Sequence, residues 1–206
     1  MSHASTAPIA SLSVESFLAQ LAARQPVPGG GAASSVVLAH AAALGSMVIA
    51  YSIDKPALAA HHDRLSRLAH FLDLARSEAL ALADRDAAAY LALNALWKLP
   101  KDQRAAHPEW GPAVSEAIAA PCAISDLALG VASTVHSLEG ITTRTLASDL
   151  AIALRCALCA YEGGLANVEV NVPLLSDAAE SARVAQWIAS RRVEAGRLAN
   201  ASATAP

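Results

Sequence analysis

The chain has 206 residues, with 15 Lys and Arg against 18 Asp and Glu and a formal net charge of -3. That is one domain of ordinary size, and three lysines (Lys55, Lys98, Lys101) do not make the basic surface that nucleic-acid binding by counterion release requires. Apolar residues make up 54% and charged residues 16%, so the chain buries a core and is no disordered segment.

About a quarter of the residues are alanine and only 4% are aromatic. Alanine favours helix and lets helix axes approach closely, so the composition predicts packed helices. Three cysteines, Cys122, Cys156 and Cys159, are too few to staple a chain of this length, which points to a reducing cytoplasm. The N-terminal thirty residues lack a basic segment followed by an uninterrupted apolar run, so no secretory signal is expected.

In chain order, residues 1–10 and 199–206 read as disordered tails around a domain spanning 11–198. Ser13 caps a helix running to about Arg24, with Glu15 in its first turn. Pro26-Val27-Pro28-Gly29-Gly30-Gly31 then forms a stiff, glycine-rich turn that opens a long helix. Residues 32–53 carry no charge until Asp54, long enough to cross a bilayer. Their content of Ala, Ser, Gly and His40, with no flanking basic cluster, favours the centre of a bundle and no membrane.

After Pro56 the residues Leu65, Leu68, Leu72, Ala75, Ala79 and Leu82 recur at helical spacing, followed by Asp86, Tyr90, Leu93 and Trp97. A carboxylate therefore interrupts an inward-facing stripe. Pro100, Pro108, Gly111 and Pro112 mark a loop. A fourth helix is expected from about Ala113 to Leu138, kinked near Pro121 and ended by Gly140. The fifth, Ala147 to Gly163, carries a small-residue face of Asp149, Ala153, Cys156, Ala160 and Gly164. The alternation of Asn167-Val168-Glu169-Val170-Asn171 before Pro173 reads as an extended loop. A last amphipathic helix spans Asp177 to Leu198, with its arginines outward. The chain is thus an all-α, single-domain bundle of about six helices, two of them long.

Four features carry chemistry. Glycines opening a helix present bare N–H groups to an anionic or carbonyl-bearing ligand, or else make a tight interhelical corner. Asp86 on a buried stripe is either functional or paired with an inward arginine. Asp149, preceded by Ser148, is a second carboxylate of this kind or a helix cap. Asn167 and Asn171 hold a polar heterocycle by hydrogen bonds or shape their own turn. His61-His62 point to different faces and have no third ligand at metal spacing, and Cys156 and Cys159 read as core thiols.

Several of these segments, in this order, resemble the cyclodeaminase/cyclohydrolase family. They are Phe17-Leu18-Ala19-Gln20-Leu21-Ala22, Pro26 to Ala33, Met47-Val48, Asp86-Ala87-Ala88-Ala89-Tyr90, Leu99-Pro100-Lys101, Leu146-Ala147-Ser148-Asp149-Leu150 and Asn167 to Asn171. The similarity spans about residues 12–175. It implies an all-α homodimer that binds folate in a cleft near the subunit interface, without a metal or other cofactor.

It further implies hydrolysis of 5,10-methenyltetrahydrofolate to 10-formyltetrahydrofolate, expected here because no transferase domain accompanies the chain. Closure of 5-formiminotetrahydrofolate with loss of ammonia is the alternative. In that reading Asp86 and Asp149 are catalytic. Gly29, Gly30, Gly31, Asn167 and Asn171 hold the pterin, Ser148 also binds substrate, and Lys55, Lys101 or Arg144 meet the folate carboxylates. The chain departs from the family at Ala50 to Leu58, where a Lys-Lys-Lys-Tyr type of segment is usual, and at Gly140-Ile141, where Gly-Asn is. A diverged helical dimer binding another small molecule or a protein is the reading those departures favour.

Overall fold

A computed structural model describes residues 7–203, and every long element among them is a helix. The helices are α1 (Val14–Ala22), α2 (Gly30–Ala50), α3 (His62–Leu96), the single turn α4 (Lys101–Arg104), α5 (Trp110–His136), α6 (Ala147–Asn171) and α7 (Ala178–Ala203). Short 3-10 turns at Ile9–Ser11, Pro56–His61, Arg144–Leu146 and Val172–Leu174 connect them. At the two ends of the expected domain, Ile9 donates its N–H to Asp84 of α3 at 3.0 Å, and α7 runs beyond Leu198. Residues 1–6 and 204–206 lie outside the described residues.

The core is an up-and-down bundle of α2, α3, α5 and α6, with α7 packed across α5 and α6. Along α3, Leu65, Leu72, Ala75, Ala79, Leu82 and Leu93 are buried, as their spacing dictates. The alanines set the helix separation: Ala32, Ala41, Ala42, Ala128, Ala132, Ala153, Ala157 and Ala160 are essentially inaccessible. Glycine closes the remaining gaps. A Cβ on Gly45 would stand 3.0 Å from Leu72, and one on Gly164 would stand 2.4 Å from Ser125 Oγ and 3.0 Å from the Pro121 carbonyl oxygen.

The largest correction concerns the end of α6. Gly163-Gly164 does not stop that helix, and residues 167–171 are not an extended loop but its last turn and a half. Gly164 packs against α5, Ala160, Leu165 and Val168 are buried, and each asparagine turns its amide back onto the carbonyl four residues earlier. These contacts outweigh the weak helix preference of glycine and asparagine. Two of the α7 arginines, Arg192 exposed as expected and Arg191 partly covered, also make ion pairs to the bundle. Arg191 reaches Asp126 of α5 at 2.6 Å and Arg192 reaches Glu169 of α6 at 2.5 Å, so they latch α7 onto the bundle.

Both α2 and α5 are long and apolar enough to cross a membrane, with 50% and 56% of their most apolar windows buried inside the protein. Here both are members of the four-helix bundle, each packed against α3 and α6.

Candidate functional site

The start of α2 has no side-chain cap of its own, because Gly29 occupies the cap position. The first intrahelical bond is Ala33 N–H to Gly29 C=O, which leaves the Gly30, Gly31 and Ala32 N–H groups outside the helix ladder. Asp86, projecting from α3, fills this gap: its carboxylate accepts the Ala32 N–H and lies flat against Gly31. A Cβ on Gly31 would stand 2.2 Å from the Asp86 carboxyl carbon, so only glycine fits there.

Among the described residues no Lys, Arg or His pairs with Asp86. Its neighbour Arg85 is committed to Glu116, with Nε–Oε1 at 2.6 Å and Nη2–Oε2 at 3.1 Å. The inward-arginine reading of Asp86 is thereby set aside. Burial pushes its carboxyl up from 3.8 to about 6, against the opposing pull of the Ala32 N–H. Arg85 is held above its usual value and Glu116 below by their mutual hydrogen bond.

Asp86 opens into a cavity of about 270 Å³ walled by Gly29, Gly30, Gly31, Tyr90, Asn167 and Asn171, with Pro26, Val27, Ala89, Leu93 and Ala117 completing it. Four helices supply this wall. Tyr90, one turn beyond Asp86, is 40% exposed, and Trp97 meets its ring edge-on at a centroid distance of 6.0 Å. Asn167 donates Nδ2–H to Gly163 C=O at 3.0 Å. Asn171 donates to Asn167 C=O at 3.0 Å and to Ala117 C=O at 2.8 Å. The cavity thus combines a carboxylate, helix-start N–H donors, amide oxygens and one aromatic face, a set suited to a flat, cationic, polar heterocycle.

A second cavity of about 400 Å³ lies on the far side of the Val27-Pro28 segment, lined by Ile9, Leu12, Leu91 and Asp84 among others. It is larger but has less chemistry, since Asp84 already accepts the Ile9 N–H.

Of the residues singled out in the sequence, six meet in the first cavity: Gly29, Gly30, Gly31, Asp86, Asn167 and Asn171. The others do not. Asp149 and Ser148 sit in the first turn of α6, 18 residues before Asn167 and therefore roughly 27 Å away along the helix. Lys55, exposed at that same end, donates to Thr143 Oγ1 at 2.8 Å, and Arg144 is exposed beside it. Lys101 is exposed on α4, past the C-terminus of α3, and does not line the cavity. Among the described residues no three His, Cys, Asp or Glu side chains converge to hold a metal.

Sequence reasoning missed two participants. Tyr90 was assigned to the inward stripe, although its place one turn after Asp86 puts it on the site's face. The Ala117 carbonyl was legible through Pro121: a proline has no N–H for the carbonyl four residues before it, and that carbonyl is the one Asn171 takes.

Fold and site together define an all-α bundle domain with a carboxylate-bearing small-molecule pocket at one end of its central helices. The sequence profile of the formiminotransferase-cyclodeaminase family matches residues 13–190, and the chain belongs to that family. Curated relatives include the formimidoyltransferase-cyclodeaminases of Sus scrofa, 28% identical over 88% of this chain, and of Mus musculus, 27% identical over 80%. The chain spans about a third of the length of these relatives (34% and 31%). The crystal structure of formiminotetrahydrofolate cyclodeaminase from Thermotoga maritima shares the fold, with a TM-score of 0.87 at 24% identity over 94% of this chain and 95% of that one.

Proposed function

We propose that the Asp86 cavity binds the pterin end of a reduced folate and acts on a cationic one-carbon unit, hydrolysing 5,10-methenyltetrahydrofolate to 10-formyltetrahydrofolate. The observation that carries this reading is Asp86 itself, a partly buried carboxylate with no protein cation beside it among the described residues, waiting for a positive partner. The methenyl group is an amidinium whose positive carbon such a carboxylate stabilises. With its pKa near 6, Asp86 is also a suitable general base at neutral pH.

Water adds to the methenyl carbon and Asp86 takes one of its protons. On collapse of the intermediate, the carbon–N5 bond breaks and Asp86 returns that proton to N5. The remaining hydroxyl proton leaves to solvent as the formyl C=O forms. No metal or further cofactor is invoked.

The names of the relatives favour a second chemistry, in which N10 closes onto a 5-formimino carbon and ammonia leaves. The same anchoring of an amidinium by Asp86 serves that step. Mixing the protein with 5,10-methenyltetrahydrofolate and following its near-ultraviolet absorbance tests the first reaction, and ammonia release from 5-formiminotetrahydrofolate tests the second. No acceleration of either sinks the folate reading.

The working form in this proposal is a cytoplasmic homodimer. The outward face of α2 supports it, with Val36, Val37, Leu44 and Met47 only partly covered, Tyr51 66% exposed and His40 the only titratable side chain of the helix. Two copies paired antiparallel along α2 bring the Lys55, Arg144 and Asp149 end of one toward the Asp86 cavity of the other. In that arrangement Lys55 and Arg144 meet the folate carboxylates.

A further inference from the structure

We propose that Pro121 fixes the polarity of the cavity, making Asn171 a hydrogen-bond acceptor that selects a 2-amino-4-oxopyrimidine edge and rejects its 2,4-diamino counterpart. This rests on the folate reading and specifies how the heterocycle is read.

An asparagine amide ordinarily serves either as donor or acceptor, because its two ends exchange by a half-turn about one bond. Asn171 is not free to do so. Pro121 lies inside α5 and lacks an N–H, so the Ala117 carbonyl four residues before it is left without a helical partner. Asn171 Nδ2 supplies that partner at 2.8 Å, and its second hydrogen goes to the Asn167 carbonyl at 3.0 Å. Reversing the amide would set its oxygen against two carbonyl oxygens.

Both donors being spent, Oδ1 is the only part of the Asn171 amide left for a ligand. Asn167 is oriented alike by the Gly163 carbonyl, with its own Oδ1 unengaged among the described residues. Beside Asn167, whose amide a Cβ on Gly30 would meet at 3.6 Å, the Gly30 N–H at the start of α2 is a donor left out of the helix ladder. The cavity therefore offers two amide oxygens with an N–H next to them, a contiguous edge for a flat heterocycle.

A 2-amino-4-oxopyrimidine presents the complement: N3–H and 2-NH2 donate, and O4 accepts. In a 2,4-diaminopyrimidine, N3 becomes an acceptor facing an amide oxygen, and the 4-amino group a donor facing an N–H. Two mismatched groups are then desolvated without partners. Asn171 touches the ligand, whereas Pro121 is a positioning residue that acts through it.

The test titrates the full chain with folic acid and with 4-amino-4-deoxyfolic acid, which differ at this edge alone, by calorimetry. Wild type is expected to prefer the 4-oxo ligand by at least about a hundredfold. Pro121→Ala, which returns an N–H to the Ala117 carbonyl, is expected to shrink that preference about tenfold or more while circular dichroism stays helical. Asn171→Ala carries the test if Pro121→Ala does not fold, and is expected to bring the two ligands within about tenfold of each other. Equal binding of both ligands by wild type overturns the inference while the folate reading stands. A folded Pro121→Ala protein with unchanged preference overturns the role of Pro121. Failure of both pteridines and of 5-formyltetrahydrofolate to bind overturns the folate reading and the inference with it.

Discussion

Asp86 is held by opposing demands: it completes the start of α2, which favours its charge, and it is buried without a cation, which opposes it. The folded state therefore holds its proton more tightly than the unfolded chain, with the pKa at about 6 against 3.8. A raised carboxyl pKa means that the contribution of Asp86 to stability is fully present below about pH 4, declines as the pH rises through about 6, and is level beyond. Each pKa unit is about 1.4 kcal/mol, so for this partly exposed group the decline is about 2 kcal/mol. Asp86→Asn keeps an acceptor for the Ala32 N–H and removes the charge. Its melting temperature should match wild type near pH 4 and exceed it by about 4–8 °C at pH 8, while turnover of the methenyl substrate falls at least about a hundredfold. Coincident stability curves at both pH values would refute this account. Gly31→Ala is the steric counterpart. A methyl 2.2 Å from the Asp86 carboxyl carbon should displace the carboxylate, cost about 1–3 kcal/mol in denaturant melts and remove activity. Asp86 was legible in the sequence because a charge on a period-matched apolar stripe stands out. The Asn171 acceptor was not, because it depends on a carbonyl 54 residues away in the chain.

At the scale of elements, the glycines separate packing from propensity. Gly164 and Gly196 both lie in helix interiors, but only Gly164 has neighbours. A Cβ there meets Ser125 Oγ at 2.4 Å and the Pro121 carbonyl at 3.0 Å, whereas Gly196 has nothing within 4 Å. Gly164→Ala should therefore destabilise by about 1–3 kcal/mol, and Gly196→Ala should stabilise by about 0.5–1 kcal/mol, both read from urea midpoints. A common sign for the two would contradict the packing described for α6 against α5. The same contrast explains which elements the sequence disclosed. The stripe of α3 and the Ser13 cap, whose Oγ accepts the Ser16 N–H at 3.0 Å, are local signals. The last turn and a half of α6 is helical for a tertiary reason, and its alternating Val168 and Val170 imitate a strand.

For the whole molecule, the bundle places the residues of the family resemblance at two ends. Gly31, Asp86 and Asn171 share one cavity, and Asp149, Lys55 and Arg144 stand roughly 27 Å off at the other end. Linear order did not reveal this split, since Asp86 and Asp149 look alike as acidic residues on helical faces. The proposed antiparallel pairing makes a checkable claim. Met47→Glu puts a charge on the partly covered face of α2 while leaving the cavity untouched. It should convert a dimer to a monomer in light scattering and raise KM, with the helical signal retained. A wild-type protein that scatters as a monomer removes the pairing.

The borrowed cap of α2 also links the order of assembly to readiness for chemistry. The first turn of α2 receives its acceptor from a residue 54 positions downstream of Ala32, so that turn is completed only when α3 docks. The docking that completes the helix also delivers the carboxylate to its cavity. A chain whose α3 has come loose thus has a frayed α2 and an empty workplace together, and no half-built form of this bundle carries the reacting group in position.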